Sequence, residues 1–382
     1  RWNHPSTTST RSQVPMPPTD FRPRGLLRNP HVQSVLASSS LRRLRFRDHH
    51  RMLERASVEH ILDCGDGVRL QGFHARQVVQ AQARGLVVLL HGWEGSAQSS
   101  YVLNVGARLL REGWDVFRLN FRDHGGSHHL NREMFHSCRI GEVVGAVGEI
   151  GRRFAERPLA IAGFSLGGNF ALRVGLRAPE AGIEVSKLIA VCPAIHPPSI
   201  LDALEKAPWF YHAYFMRRWR DSLKRKQSLF PGEYAFDERV LEQDMRALTA
   251  DMITRYTEFG TLEEYLHGYS IGGDRLAALA VPASILTAQD DPIIPVQDFE
   301  SMSLPANVQL EIAPQGGHCG GGDLRSDAAC GRGGALRQRL APQAMAERAR
   351  RGACAAAGRR RRRRTPGGNP GLQELPRPGS GG

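Results

Sequence analysis

The chain of 382 residues contains no Cys-x-x-Cys pair; its six cysteines, Cys64, Cys138, Cys192, Cys319, Cys330 and Cys354, are scattered. Zinc ribbons need thiols at short paired spacing and disulfide-stapled domains need a dense framework, so the pattern argues against both. Unpaired thiols point instead to a reducing, cytoplasmic compartment. Apolar runs are short, and none approaches the ~18 residues that could span a bilayer. The N-terminal stretch is polar and rich in Ser, Thr and Pro, without the apolar centre of a secretion signal. It also lacks an initiator methionine; Met16 is the expected start, with the residues before it read as an artefact of the reading frame. Acids are scarce, but only at the ends. The formal charge is +13, yet fourteen arginines against four acids lie from Cys319 onward, and residues 1–25 hold four arginines against Asp20. Residues 26–318 therefore balance to neutrality, and nucleic acid is not an expected partner of the folded body.

The last 64 residues also lack strand-like and aromatic side chains. They run through Gly-, Ala- and Arg-rich sequence to the block Arg359–Arg364. Such a block could serve as a localisation or RNA-binding tail. The preferred reading is that the frame is lost soon after His318, because a helix that would close the domain is missing there. Residues 1–25 are expected to be disordered, 26–318 to form one domain, and 319–382 to be a low-complexity tail.

What is present centres on Gly163-Phe-Ser-Leu-Gly-Gly-Asn169. This Gly-x-Ser-x-Gly run follows a short apolar segment, Pro158–Ala162, and precedes a helical pattern, Phe170–Leu176. Strand, sharp turn and helix in that order form a nucleophile elbow, which holds a serine at the tip of a strained turn. Bulk two residues before or after that serine would clash where strand and helix cross.

Other segments fall into alternating strands and helices. A basic, helical lead-in covers Gly25 to about Arg55. Glu59–Leu62 and Val68–Ala75 flank the turn signal Cys64-Gly-Asp-Gly67 and predict a hairpin. Strands are expected at Gly85–Leu90, Asp115–Leu119, Lys187–Cys192, Ala283–Thr287 and Val308–Ile312, with helices near Tyr101–Arg111 and Ile140–Phe154. That alternation predicts an α/β fold with a mostly parallel central sheet and helices on both faces. It stops over about 194–281, a stretch of helical patterns and aromatics expected to form a cap. Trp209, Phe210, Tyr211, Tyr214, Phe215 and Trp219 pack that cap; some of them are candidates to line an acyl pocket or to touch a lipid surface beside Arg217, Arg218 and Arg220.

A serine hydroxyl needs a histidine to take its proton and an acid to fix the imidazole. In α/β-hydrolases the chain order is serine, acid, histidine, with acid and base in loops after strands. Asp290 and Asp291 follow the Ala283–Thr287 strand. Asp291, directly before Pro292, is the preferred acid; Asp290 is the alternative, otherwise a turn or supporting residue. His318 follows the Val308–Ile312 strand and two glycines, and no histidine occurs beyond it. His91-Gly-Trp-Glu-Gly-Ser96 follows the Gly85–Leu90 strand, where a second oxyanion donor belongs. The expected donors are the backbone amides of Trp93 and Leu166. His91 reads as structural. The histidines His124, His128, His129 and His136 have no carboxylate or cysteine pattern to complete a metal site, and neither metal nor cofactor is expected.

With these residues placed, the chain resembles the YheT-type α/β-hydrolases, bacterial relatives of eukaryotic abhydrolase-domain lipases. The resemblance covers about 21–319. It rests on Asn29-Pro-His-Val-Gln-Ser34, His91-Gly-Trp-Glu-Gly-Ser96, Phe135-His-Ser137, the elbow, Asp251-Met-Ile-Thr254, Leu266-His-Gly-Tyr269, Asp290-Asp-Pro292 and Gly316-Gly-His318. It implies catalytic roles for Ser165, Asp291 and His318 and a carboxylic ester substrate, short-chain or acyl-lipid, without a cofactor. The chain departs from the family after Cys319, where a Trp-containing C-terminal helix would follow. An acyltransferase or thioesterase with the same triad is the nearest rival reading. A non-catalytic binding protein on this scaffold is another, opposed by the complete Ser/Asp/His set.

Overall fold

The computed structural model describes residues 23 and 25–319, apart from 38 and 157. Of the stretch 1–25 only residues 23 and 25 are described, and the expectation for the tail past Cys319 falls outside the described residues. Eight strands form one sheet: β1 (Ser57–Asp63), β2 (Arg69–Ala75), β3 (Leu86–Leu90), β4 (Asp115–Leu119), β5 (Leu159–Phe164), β6 (Val185–Val191), β7 (Ala283–Ala288) and β8 (Val308–Ala313). Their spatial order is β1-β2-β4-β3-β5-β6-β7-β8. β1 pairs antiparallel with β2, and β2 antiparallel with β4; every later pairing is parallel.

The lead-in supplies α1 (Pro30–Ala37), α2 (Ser40–Arg45) and α3 (Arg47–Arg55). Between strands lie α4 (Ser100–Arg111), α5 (Ile140–Phe154) and α6 (Leu166–Arg177). β3, β5 and β7 are buried along their whole length, which explains the unbroken apolar sequence of β3 and the small and apolar residues of β5: helices cover both faces of the sheet. Along β3 the period-2 alternation sends Leu86, Val88 and Leu90 into the larger core with α5 and α6. Leu89 faces the other way, against α4 at Gly106 and beside Leu53 of α3.

Between β6 and β7 the chain leaves the sheet and builds five helices. These are α7 (Pro197–Lys206), α8 (Trp209–Leu229), α9 (Glu238–Glu242), α10 (Met245–Tyr256) and α11 (Leu262–Gly268); α12 (Val296–Glu300) follows β7. Asp237, Asp244 and Thr261 cap α9, α10 and α11 with side-chain oxygens that accept from the helix N–H groups. α8 divides into two halves. Its first half carries the aromatics, and its second half plugs into the loop after β4. There Lys226 Nζ, buried, donates to Asp123 Oδ1 (2.9 Å) and to the carbonyls of Asn131 (2.7 Å) and Glu133 (3.1 Å). His128 Nε2 meets Ser222 Oγ at 2.8 Å.

Candidate active site

β5 ends at Phe164 and α6 starts at Leu166, leaving Ser165 alone at the crossing with φ 53° and ψ −120°. An L-residue is strained there, and the surrounding backbone holds it. Ser165 N–H donates to Val191 O (2.9 Å), while its carbonyl accepts from Gly168, Asn169 and Ala194 N–H (2.9, 3.1 and 3.2 Å). Close approach explains the glycines. A Cβ on Gly163 would sit 2.0 Å from Gly167 O, and one on Gly167 would sit 2.4 Å from the carbonyls of Leu90 and His91. Asn169 adds a polar link, donating through Nδ2 to Ala194 O and Tyr269 O at the two roots of the cap.

The two aspartates after β7 take different places. Asp291, fully buried, accepts His318 Nδ1 on Oδ2 at 3.0 Å and the N–H groups of Ile293 and Ile294 on Oδ1 at 2.9 and 3.1 Å. Burial alone would raise its pKa, but His318 and these donors outweigh it and hold the carboxyl below its ordinary value. Asp290 instead accepts Gly317 N–H at 2.9 Å, in the histidine's own loop. Ser165, Leu166, Trp93 and His318 all line one cavity of about 720 Å³. Among the described residues, the backbone N–H groups of Trp93 and Leu166 have no protein acceptor. Two unpartnered donors at a cavity wall are what an oxyanion would require.

The cap gives the cavity an apolar side, with Leu201, Leu204, Phe215, Trp219, Met252 and Leu266 among others, while Ser96, Gln98 and Ser99 after β3 and Arg43 of the lead-in add polar lining. The Trp93 ring stacks on Phe215 and meets Trp219 edge-on, both at 5.5 Å between centroids. Arg218 Nε reaches across to Glu94 O at 2.9 Å. The Glu94 carboxyl is pushed up to about 7 by burial, against the opposing pull of Arg218.

Of the histidines after β4, His124 is engaged locally and His128 bonds Ser222 of the cap, whereas both buried ring nitrogens of His136 lack a hydrogen-bond partner among the described residues. His124 Nδ1 meets Arg122 O at 2.6 Å, and its Nε2 accepts Glu94 N–H. His91 bonds Gly92 O through Nδ1 and accepts Phe121 N–H on Nε2. Burial lowers the pKa of both rings, keeping them neutral. Cys192, His318 and Cys319 place their donor atoms within 4.8 Å of one another, the one such grouping of metal-binding types among the described residues.

Several residues escape a reading of the sequence alone. Ser34 of α1 is one: its Oγ accepts the backbone N–H of His318 at 2.8 Å, across 284 positions. Lys226, inside a basic run that reads as a solvated face, is another. The signal for Ser34 lay in Asn29-Pro-His-Val-Gln-Ser34, legible only as a resemblance and silent about its contact.

A sheet of this order, with a serine on a strand–helix elbow and a paired acid and histidine after the last two strands, defines an α/β-hydrolase. Residues 81–323 match the family described as "Serine aminopeptidase, S33", and the chain belongs to that family. It is 26% identical over 324 residues to the Escherichia coli (strain K12) protein named "Putative esterase YheT", covering 80% of this chain and 88% of that protein. It is 22% identical over 253 residues to the Mus musculus protein named "Phospholipase ABHD3", covering 63% of this chain and 59% of that one. Among solved structures, the Pyrococcus furiosus esterase Pf2001 is similar with a TM-score of 0.47 and 18% identity, over 74% of this chain and 90% of that chain. A puromycin-hydrolyzing peptidase of Mycobacterium tuberculosis gives 0.48 and 16%, over 74% and 38%. These matches are consistent with the YheT-type α/β-hydrolases that the motifs resemble.

Proposed function

We propose that the protein is a serine hydrolase of carboxylic esters. The observation that carries this reading is the buried Asp291–His318 hydrogen bond, on a histidine that shares its cavity with the strained Ser165. His318 takes the Ser165 hydroxyl proton through Nε2 as Oγ attacks the ester carbonyl carbon. Asp291 fixes the imidazole tautomer and offsets the imidazolium charge. The Trp93 and Leu166 amides receive the oxyanion; losing one such donor typically costs ~3 kcal/mol. Collapse breaks the carbon–oxygen bond to the alcohol, which leaves with the proton from His318. Water, deprotonated by the same imidazole, then releases the acid from Ser165. No cofactor enters this cycle.

The cavity's size and its Leu, Met and aromatic wall favour an acyl chain as the group it encloses. Cys64, Cys138, Cys192 and Cys319 form no disulfide among the described residues, which fits a cytoplasmic enzyme, and no described helix is long and apolar enough to cross a membrane. The start of α8 is the surface for peripheral contact with a lipid substrate: Trp209 is 79% exposed, beside exposed Tyr214, Arg217 and Arg218.

The test is labelling by a fluorophosphonate probe, followed by turnover of p-nitrophenyl esters of increasing chain length. Wild type should label and hydrolyse. Ser165→Ala, equally folded, should do neither, with turnover down by at least ~10³-fold. Labelling that persists in the folded variant would sink the assignment.

A further inference from the structure

Three consecutive backbone N–H groups, of Gly317, His318 and Cys319, each donate to a side chain from a different part of the fold. Gly317 donates to Asp290 Oδ1 at 2.9 Å, His318 to Ser34 Oγ at 2.8 Å, and Cys319 to Cys192 Sγ at 3.4 Å. Asp290 stands after β7 and Cys192 after β6, so two of these acceptors belong to the sheet. Ser34 belongs to α1, ahead of every strand. Helix α1 has its own reason to be rigid. Asn29 Oδ1 accepts the N–H groups of His31 and Val32 at 2.9 and 3.3 Å, and Pro30 fills the first helical position, where no N–H is needed.

The Ser34 hydroxyl donates to Pro30 O at 2.7 Å, which commits its proton and turns a lone pair toward the His318 N–H. The helix and the loop are also in steric register. Gly317 has φ +51°, and a Cβ there would lie 2.5 Å from Pro30 O and 2.8 Å from Ser34 Oγ. The same face of α1 reaches the cap: His31, three residues before Ser34, has Nδ1 3.3 Å from Tyr211 OH, and Tyr211 is also a hydrogen-bond neighbour of Ser34. One short helix thus touches both the roof of the cavity and the loop that bears the histidine.

We propose that Ser34 is a positioning residue for His318, fixing the backbone from which the imidazole reaches Ser165, so that α1 is a working part of the active site. The inference rests on His318 being the base. A hydroxyl behind a general base acts through geometry alone, and displacement of a reacting group by an ångström can cost ~10²-fold in rate. It should therefore appear in kcat and leave substrate binding nearly untouched.

The experiment compares Ser34→Ala, Ser34→Cys and Ser34→Thr with wild type on a p-nitrophenyl ester, with sites counted by fluorophosphonate titration. Ser34→Ala should lower kcat per titrated site ~10–100-fold with KM within about twofold. Its pH–rate profile should shift its acidic limb to lower pH, as the His318–Asp291 bond that favours imidazolium loosens. Ser34→Thr, which keeps the hydroxyl, should recover most of the rate. If the alanine variant does not fold, Ser34→Cys, of similar size but a weak acceptor, carries the comparison with the same expected loss. A kcat per site within twofold of wild type in Ser34→Ala, or in Ser34→Cys where that replaces it, would overturn the proposal, since a purely structural serine changes only the number of folded sites. His318→Ala separates the two layers: full activity there removes the base assignment itself, whatever Ser34 does.

Discussion

The elbow and the cap face each other across one cavity but are held by different means. Around Ser165 the constraints are backbone: four main-chain hydrogen bonds and carbonyls packed where side chains cannot fit. The cap is attached by side chains: the Lys226–Asp123 pair, the His128–Ser222 and Arg218–Glu94 contacts, and aromatic stacking over Trp93. Backbone constraints are all-or-none, which suits the proposed nucleophile. Side-chain anchors can be varied one at a time, which suits a wall that must match a substrate.

The sharpest way to break that contrast is Gly163→Ala. Its methyl would meet the Gly167 carbonyl, which cannot retreat without moving α6 off β5. We expect a loss of more than about 3 kcal/mol of stability, read by urea denaturation, with activity abolished. Unchanged activity would show that the elbow tolerates displacement.

A loss of stability of similar size, but one that leaves the elbow intact, follows on the cap side from Lys226→Met, which leaves the Asp123 charge buried and unpaired. Burial already pushes the Asp123 carboxyl up and the Lys226 ammonium down, each toward its neutral form. The single variant should lose about 3–5 kcal/mol, and Lys226→Met with Asp123→Asn should recover part of it. A double variant no better than the single would mean that Lys226 is held by the Asn131 and Glu133 carbonyls rather than by the charge. With a raised folded-state pKa, Asp123 ionises at a cost that grows as pH rises above its unfolded value, so the double variant's relative gain should be larger at neutral than at acidic pH.

The smallest effect belongs to Trp209→Ala. It should leave turnover of a soluble short-chain ester within twofold while weakening co-sedimentation with phosphatidylglycerol vesicles several-fold. Equal sedimentation would remove α8 as a lipid-facing surface.

The difference between the two regions also decides what the sequence reveals. Elbow, acid and histidine each announce themselves within a few residues, as a strand followed by a turn of defined composition. The hairpin turn at Cys64–Gly67 and the fully buried β3 are legible for the same reason. Lys226 is not, because Lys224-Arg225-Lys226 has the look of a solvated face and its partner lies 103 positions away. Ser34 is harder still: a serine in a short basic lead-in carries no local mark of a contact across the whole sheet. Between the two aspartates, local sequence weighs only the register before Pro292, whereas the hydrogen bonds separate them by what each one holds.

The parallel order of the sheet also sets a timetable. β3 brings Trp93, β5 brings Ser165, β7 brings Asp291 and β8 brings His318, in the order of synthesis. At ~5–20 residues per second, roughly 8–30 s separate the emergence of the serine from that of the histidine. In the proposed triad, a nascent chain therefore carries an unactivated serine through 153 residues of further synthesis. Nucleophilic power arrives with the final parallel strand, once the fold that directs it is in place.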